Sequence, residues 1–93
     1  MHRLPCIVPG CRRSNRPEYP EDTLGICSKH WQAIPLVRRK VYRRLRDEQR
    51  TLRASFATGH TIDTAIRNRR LIAAIGRIWS RLERDAIERS VGI

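Results

Sequence analysis

Four side chains that bind transition metals occur as two close pairs in the first third of the chain. They are Cys6, Cys11, Cys27 and His30, in the pattern C-x4-C-x15-C-x2-H. Structural zinc takes four tetrahedral ligands, commonly thiolates and imidazoles supplied in pairs by two local turns. The Pro9-Gly10 turn would direct the first two thiolates toward one point, and positions i and i+3 of a helical turn project the second pair in the same direction. The spacing therefore predicts one structural Zn²⁺.

Other uses of these residues are weighed against this prediction. Two of the cysteines and His30 could be ordinary core residues, and His2 or His60 could replace His30 as the fourth ligand, although neither has its own local ligand geometry. A catalytic Cys27–His30 pair needs an orienting third group, which the sequence does not offer. A zinc hydrolase keeps a coordination position open, whereas four good ligands close it. We therefore expect a protein that is not an enzyme.

The segment that carries these ligands has little regular structure of its own. Residues 1–34 hold four of the five prolines and all three cysteines, so a metal would supply the order that the backbone lacks. Within it, residues 12–25 read as a polar surface loop with an acidic cluster of Glu18, Glu21 and Asp22. Ser28 is a suitable N-cap for a short helix through Ala33, and Pro35 suits the first position of the next helix.

Two longer helices follow. Residues 35–53 form the first, a basic helix with Val37, Val41, Leu45 and Leu52 on one face, and residues 61–90 form the second, capped by Thr61 or Asp63. On the second helix one stripe is apolar, with Ile62 and Ile66 falling off it: Leu71, Ile72, Ile75, Ile78, Trp79, Leu82 and Ala86. We expect a single domain over 1–93 that is mostly α, with a treble-clef-like zinc knuckle followed by two amphipathic helices.

The positive charge of the chain is carried almost entirely by arginine. Eighteen of the twenty basic residues are arginines, against nine acids, for a formal net charge of +11. Arginine presents a planar fork of donors that fits phosphate bidentately. One row on the first long helix steps by four, three, four and three: Arg39, Arg43, Arg46, Arg50 and Arg53. A second set, Arg12, Arg13 and Arg16, lies beside the knuckle. The alternative is a solvated basic surface without a specific partner.

Composition also limits the cellular compartments in which we expect the protein to act. No apolar run is long enough to cross a bilayer, and the prolines and glycine of MHRLPCIVPGC break the apolar stretch that a signal peptide needs. An odd number of cysteines argues against a closed disulfide framework. We expect a protein of the bacterial host cytoplasm with no membrane partner. A second helix of about 40 Å is longer than so small a domain needs, which indicates a homodimer through residues 71–86.

The string CIVPGC…GICSKHWQAIPLVRRKVY resembles small zinc-knuckle proteins of bacteriophages and prophages. In these proteins a C-x2-H-W motif precedes Ile/Val-Pro and a basic amphipathic helix. The resemblance covers residues 6–45, and its specific part is Cys27, His30, Trp31, Ile34, Pro35 and Arg38. It implies a phage or prophage origin and a zinc site, and no activity. The layout is also similar to treble-clef fingers that scaffold HNH nucleases, but those enzymes need a further histidine pair, and only His2 and His60 remain here.

The sequence predicts a zinc-stabilised module that binds nucleic acid through the phosphate backbone. With five aromatic residues, a stacking platform for single strands is not expected, which favours a duplex or structured nucleic acid. The alternative is a protein-interaction module that docks on a host or virion protein through the same arginines or through the stripe of the long helix. A degenerate nuclease or nuclease accessory is the third hypothesis.

Overall fold

A computed structural model describes residues 3–16, 25–59 and 61–91 of the chain. Within these ranges the elements are β1 (Leu4–Pro5), β2 (Ser14–Asn15), α1 (Ser28–Ala33), α2 (Leu36–Ser55) and α3 (Ile62–Ser90). The prediction of a mostly helical fold, with an N-terminal Cys/His knuckle followed by two amphipathic helices, is confirmed. The acidic cluster of the expected loop, and the two alternative ligands His2 and His60, lie outside the described residues.

Two very short strands hold the knuckle at its base. β1 and β2 pair antiparallel, with Leu4 opposite Asn15 and Pro5 opposite Ser14. A bridge between Cys6 and Gly25 extends this pairing on the other side of β1, where the Ile7 N–H donates to the Gly25 carbonyl at 2.8 Å. A Cβ atom on Gly25 would lie 2.9 Å from Asn15 Oδ1 and 3.2 Å from the Leu4 side chain, so a larger residue here would force these side chains to shift.

The N-cap of the short helix α1 lies one residue before the cap that the sequence predicts. Cys27 occupies the N-cap in an extended conformation, and Ser28 is already the first helical residue. The prediction of Ser28 as the cap is therefore wrong: the cap position is taken by a residue whose side chain faces the other thiols. The helix ends at Ala33, where the Ile34 N–H bonds to the Trp31 carbonyl at 3.1 Å.

Helix α2 is where the sequence suggests it, but a different face is buried. It runs over Leu36–Ser55, so Pro35 immediately precedes it, and its buried members are Tyr42 and Leu52. Val37, expected on the apolar face, is 70% exposed, whereas Tyr42 is only 5% exposed. The prediction for Val37 is therefore wrong, because the buried stripe lies further round the helix than a count of aliphatic residues alone indicates.

Helix α3 begins with a reciprocal threonine cap. Thr61 Oγ1 accepts from the Thr64 N–H at 3.2 Å, and Thr64 Oγ1 accepts from the Thr61 N–H at 2.9 Å, as in a capping box with threonine in the place of glutamate. Most of the expected stripe is buried or half-buried, and Ile62 and Ile66, which fall off the stripe, are exposed. Ile72 is the exception, with 53% exposure. The homodimer through 71–86 stays a prediction.

The chain divides into two compact units. The first contains residues 1–36 and 81–93, and its buried apolar side chains are Leu4, Cys6, Val8, Ile26, Cys27, Ile34, Leu82 and Ala86. The second contains residues 37–80, with Tyr42, Leu52, Leu71 and Ile75 buried. Within the second unit an ion pair joins Arg67 and Glu48 at 2.8 Å. Among the described residues, none of the helices has the length and apolar character that crossing a membrane requires.

Candidate metal centre

The structure brings together the four side chains predicted to bind metal. The ligand atoms of Cys6, Cys11, Cys27 and His30 all lie within 4.8 Å of one another. The three cysteines are free thiols, and the sulfurs of Cys11 and Cys27 are 3.9 Å apart. A disulfide needs about 2.05 Å, so these sulfurs are too far apart to be bonded.

A tight turn places the first two ligands. The Cys11 N–H bonds to the Val8 carbonyl at 3.1 Å, and Gly10 between them has φ 81°. This is the hydrogen bond and dihedral angle of a type II turn with proline at the second position and glycine at the third. The turn reverses the chain within four residues, so the thiols on either side of it face the same point.

The first turn of α1 places the other two ligands. Cys27 at the N-cap and His30 three residues later project from the same side, and Cys27 Sγ lies 3.1 Å from His30 Nδ1. The Cys27 N–H also approaches Cys6 Sγ at 3.4 Å, which links the two ligand pairs through the backbone. Because Nδ1 faces the sulfurs, Nε2 is the ring nitrogen left for an outer hydrogen bond.

The distances fit one tetrahedral ion. With bonds of about 2.3 Å to sulfur and about 2.0 Å to nitrogen, tetrahedral angles put two sulfurs about 3.8 Å apart and a sulfur and a nitrogen about 3.5 Å apart. Cys11 Sγ and Cys27 Sγ are 3.9 Å apart, and Cys6 Sγ and His30 Nδ1 are 3.5 Å apart. The Cys27–His30 distance of 3.1 Å is shorter than the tetrahedral value. The group is therefore compatible with one bound metal ion.

The two buried thiols differ in their electrostatic surroundings. Burial raises the pKa of Cys6, and this outweighs the backbone N–H groups of Cys27 and Val8, which favour the thiolate. Burial also acts to raise the pKa of Cys27. The backbone N–H of His30 and the neighbouring thiols nevertheless lower the Cys27 pKa below its ordinary value. Of these two thiols, Cys27 is thus the better prepared to lose its proton, which a metal ligand must do.

The composition of the cluster favours a structural metal over a catalytic one. Three thiolates and one neutral imidazole would give a bound divalent ion a net charge of −1 and fill a tetrahedral shell. A filled shell leaves no position for water or substrate. The expectation that the protein is not an enzyme is consistent with this donor set and stays a prediction.

Replacing Gly10 with alanine is expected to destabilise the metal-loaded protein by about 1 to 2 kcal/mol, because a Cβ is strained at positive φ. The same substitution at Gly76, inside α3, should instead stabilise the protein by about 1 kcal/mol, because alanine favours helix and its Cβ would meet open space. Urea unfolding of both variants with zinc present measures the two effects. A neutral or stabilising Gly10→Ala would contradict the turn geometry.

The predicted arginine row lies along α2, but it is less uniform than the sequence indicates. Arg43, Arg50 and Arg53 are exposed, whereas Arg39 and Arg46 are half-buried. The Arg46 guanidinium carbon lies 5.8 Å from the centre of the Tyr42 ring, a cation–π distance. Tyr42 in turn packs against Trp79, with 5.4 Å between ring centres. Arg46 therefore flanks the core of its unit.

The second predicted set, Arg12, Arg13 and Arg16, is exposed in the first unit. The neighbouring Arg3 is committed to the strand pairing, because its guanidinium donates to Ser14 Oγ and to the Ser14 carbonyl, each at 2.9 Å. The sequence analysis missed two contributors to the metal centre, the close approach at Gly25 and the N–H···S contact from Cys27 to Cys6. No local sequence pattern predicts either contact, because each one joins segments that are far apart in the sequence.

The whole chain was compared with protein families, curated proteins and solved structures. No family model matches the sequence, and neither the curated proteins nor the solved structures contain a significant match. Among the described residues, the Cys3His group is the cluster of side chains that could hold a metal ion.

Proposed function

We propose that this protein is a small zinc-stabilised module that binds nucleic acid through the phosphate backbone. The observation that carries the proposal is the row of five arginines on α2, from Arg39 to Arg53. At about 1.5 Å per residue the row extends for about 21 Å, enough to meet several successive phosphates along a groove. The metal centre would order the first unit, and the arginines of α2 would contact the phosphates.

Charge on α2 supports this proposal. The helix contains eight basic residues and two acids, so it contributes +6 of the formal +11 of the chain. One of those acids, Glu48, is paired with Arg67 of α3 at 2.8 Å. A positive electrostatic potential along a helix attracts a polyanion and raises its rate of association.

The identity of the metal is the next part of the proposal. Three thiolates and one imidazole at tetrahedral distances suit Zn²⁺, which is common in such sites and has no redox chemistry. Calcium and magnesium prefer oxygen ligands, which this group of four does not contain. We therefore propose one structural Zn²⁺ per chain.

A duplex or structured nucleic acid is the proposed ligand. Base stacking by single strands needs exposed aromatic faces. Tyr42 is buried and its ring packs against that of Trp79, so these two aromatics support the core of their unit. With five phosphate contacts, the logarithm of the binding constant should fall with the logarithm of salt concentration with a slope of about −4.5 on B-form DNA.

The test replaces the exposed arginines Arg43, Arg50 and Arg53 with glutamine and leaves Arg46 on Tyr42. We expect duplex affinity to fall at least about tenfold at 50 mM salt and the slope to fall to about −1.8, because about three phosphate contacts are lost. Fluorescence anisotropy with a labelled duplex at several salt concentrations measures both quantities.

A matched control removes the same charge from α3 of the same unit, at Arg69, Arg70 and Arg77, which are also exposed. This control should lose less than about threefold in affinity. Equal losses in the two variants would mean that total charge, and not the α2 row, drives binding. No loss in either would overturn the proposal.

We extend the proposal to a non-enzymatic role in the cytoplasm of a bacterial host and to a phage or prophage origin. The supporting observation is the resemblance at Cys27, His30 and Trp31, followed by Ile34 and Pro35. Affinity purification from nuclease-treated and untreated host lysate separates the two classes of partner. A partner that survives nuclease digestion would favour docking on a host or virion protein, and one lost on digestion would favour nucleic acid.

A further inference from the structure

The metal ligands share their compact unit with a distant part of the chain. All four ligands lie within residues 1–36, and this segment groups with residues 81–93, which include the last turns of α3. Residues 37–80 form the other unit and separate the two segments in sequence. The module around the metal is therefore discontinuous.

Burial is most complete where these two segments contribute to one unit. The large side chains with less than 2% exposure, among the described residues, are Ile34, Leu82 and Cys27. Cys27 is one of the four candidate metal ligands, Ile34 follows α1, and Leu82 lies on α3. Ala86, one turn after Leu82, is 1% exposed, and the Asp85 carboxylate beside it is 5% exposed. Atoms this deeply buried lose packing and leave a cavity when they are removed.

The remaining apolar core of the first unit is small. Without α3 it consists of Leu4, Val8, Ile26 and Ile34 together with the cysteines. Segments below about 40 residues seldom bury enough surface to fold alone, and a metal usually compensates. When a site is not preformed in the unfolded chain, the free energy of folding and that of metal binding are linked.

We infer that residues 81–91 are an integral part of the metal-binding module and that Leu82 is a positioning residue for the metal site. Leu82 acts through the packing that holds α1, and so Cys27 and His30, in register with the knuckle. By the same linkage, loading the metal stabilises the end of α3. This coupling rests on the proposed metal site and not on nucleic-acid binding, so failure of the nucleic-acid proposal would leave it standing.

The first test compares Leu82→Ala with Leu71→Ala, the same substitution at a buried position of the same helix in the other unit. Competition with a chromophoric chelator gives the zinc affinity of each variant. We expect Leu82→Ala to weaken zinc binding by about 100-fold, equivalent to about 2.8 kcal/mol at 1.4 kcal/mol per factor of ten. Leu71→Ala should stay within about threefold of the parent. Equal effects of the two variants, or unchanged affinity of Leu82→Ala, would overturn the inference.

The second test needs no variant and applies even if Leu82→Ala does not fold. Amide hydrogen exchange is followed in the parent protein with zinc and after removal of zinc by a chelator. Protection of amides 82–90 should fall at least about tenfold on metal removal, while that of amides 66–79 should change much less. Protection of 82–90 that is indifferent to the metal would show that the end of α3 is not coupled to the site.

Discussion

The Cys27→Ser variant is expected to bind no stoichiometric zinc and to lose the ordered structure of its first unit, which holds the metal ligands. Cys27 is 1% exposed, caps α1, and lies within 3.9 Å of Cys11 Sγ and 3.1 Å of His30 Nδ1. A serine hydroxyl does not replace a thiolate as a ligand, so the shell would drop to three. Structural zinc contributes about 10 to 16 kcal/mol of apparent binding free energy in small modules, which is far more than a domain of this size can lose.

Zinc content by elemental mass spectrometry should be about one per chain in the parent and near zero in the variant, with reduced helical circular dichroism. Ser28→Ala is the matched control, because Ser28 is adjacent and exposed and belongs to no ligand set. It should retain the metal. A Cys27→Ser protein that still holds one zinc with parental affinity would show that another side chain supplies the fourth ligand.

Replacing Tyr42 with alanine should destabilise the second unit by about 3 to 5 kcal/mol, as for other buried aromatic residues. The ring is 5% exposed, packs against Trp79 at an angle of 41°, and supports the Arg46 guanidinium. Its removal leaves a cavity between α2 and α3 and takes away the surface that the guanidinium covers. Urea unfolding followed by circular dichroism at zinc saturation measures the loss.

Val37→Ala is the comparison for this variant. Val37 is on the same helix but 70% exposed, so its truncation should change the free energy of unfolding by less than about 0.5 kcal/mol. Simple aliphatic periodicity ranks the two residues the other way, with Val37 in the core. Equal losses at Tyr42 and Val37 would mean that Tyr42 does not lie on the buried face of α2.

The parts of the fold that sequence predicted well are those set by local spacing. Two ligand pairs, each within one turn, need only a proline-glycine reversal and a helix start, and both are visible in CIVPGC and CSKH. The ends of α2 and α3 differ from the predicted bounds by at most two residues, because proline, glycine and threonine mark them. Local chemistry of this kind does not depend on the rest of the chain.

The parts that sequence missed depend on tertiary packing. Which face of α2 is buried depends on the residues that pack against it. Tyr42 packs against Trp79 and is buried, whereas Val37 is exposed. The cap of α1 is Cys27 and not Ser28 because the Cys27 backbone N–H contacts Cys6 Sγ and the Cys27 thiol contacts Cys11 Sγ, both from a remote turn. Likewise, the tight packing at Gly25 comes from the Asn15 and Leu4 side chains, which no local pattern predicts.

The division of the first unit into two sequence segments affects how the protein is made. Every metal ligand has been synthesised by His30, yet Leu82 and Ala86, which share the core of the same unit, are added some fifty residues later. The region 37–80 between them contains its own buried residues. A growing chain thus exposes reactive thiols before their final packing exists, and early zinc capture would protect them from oxidation until the closing segment arrives.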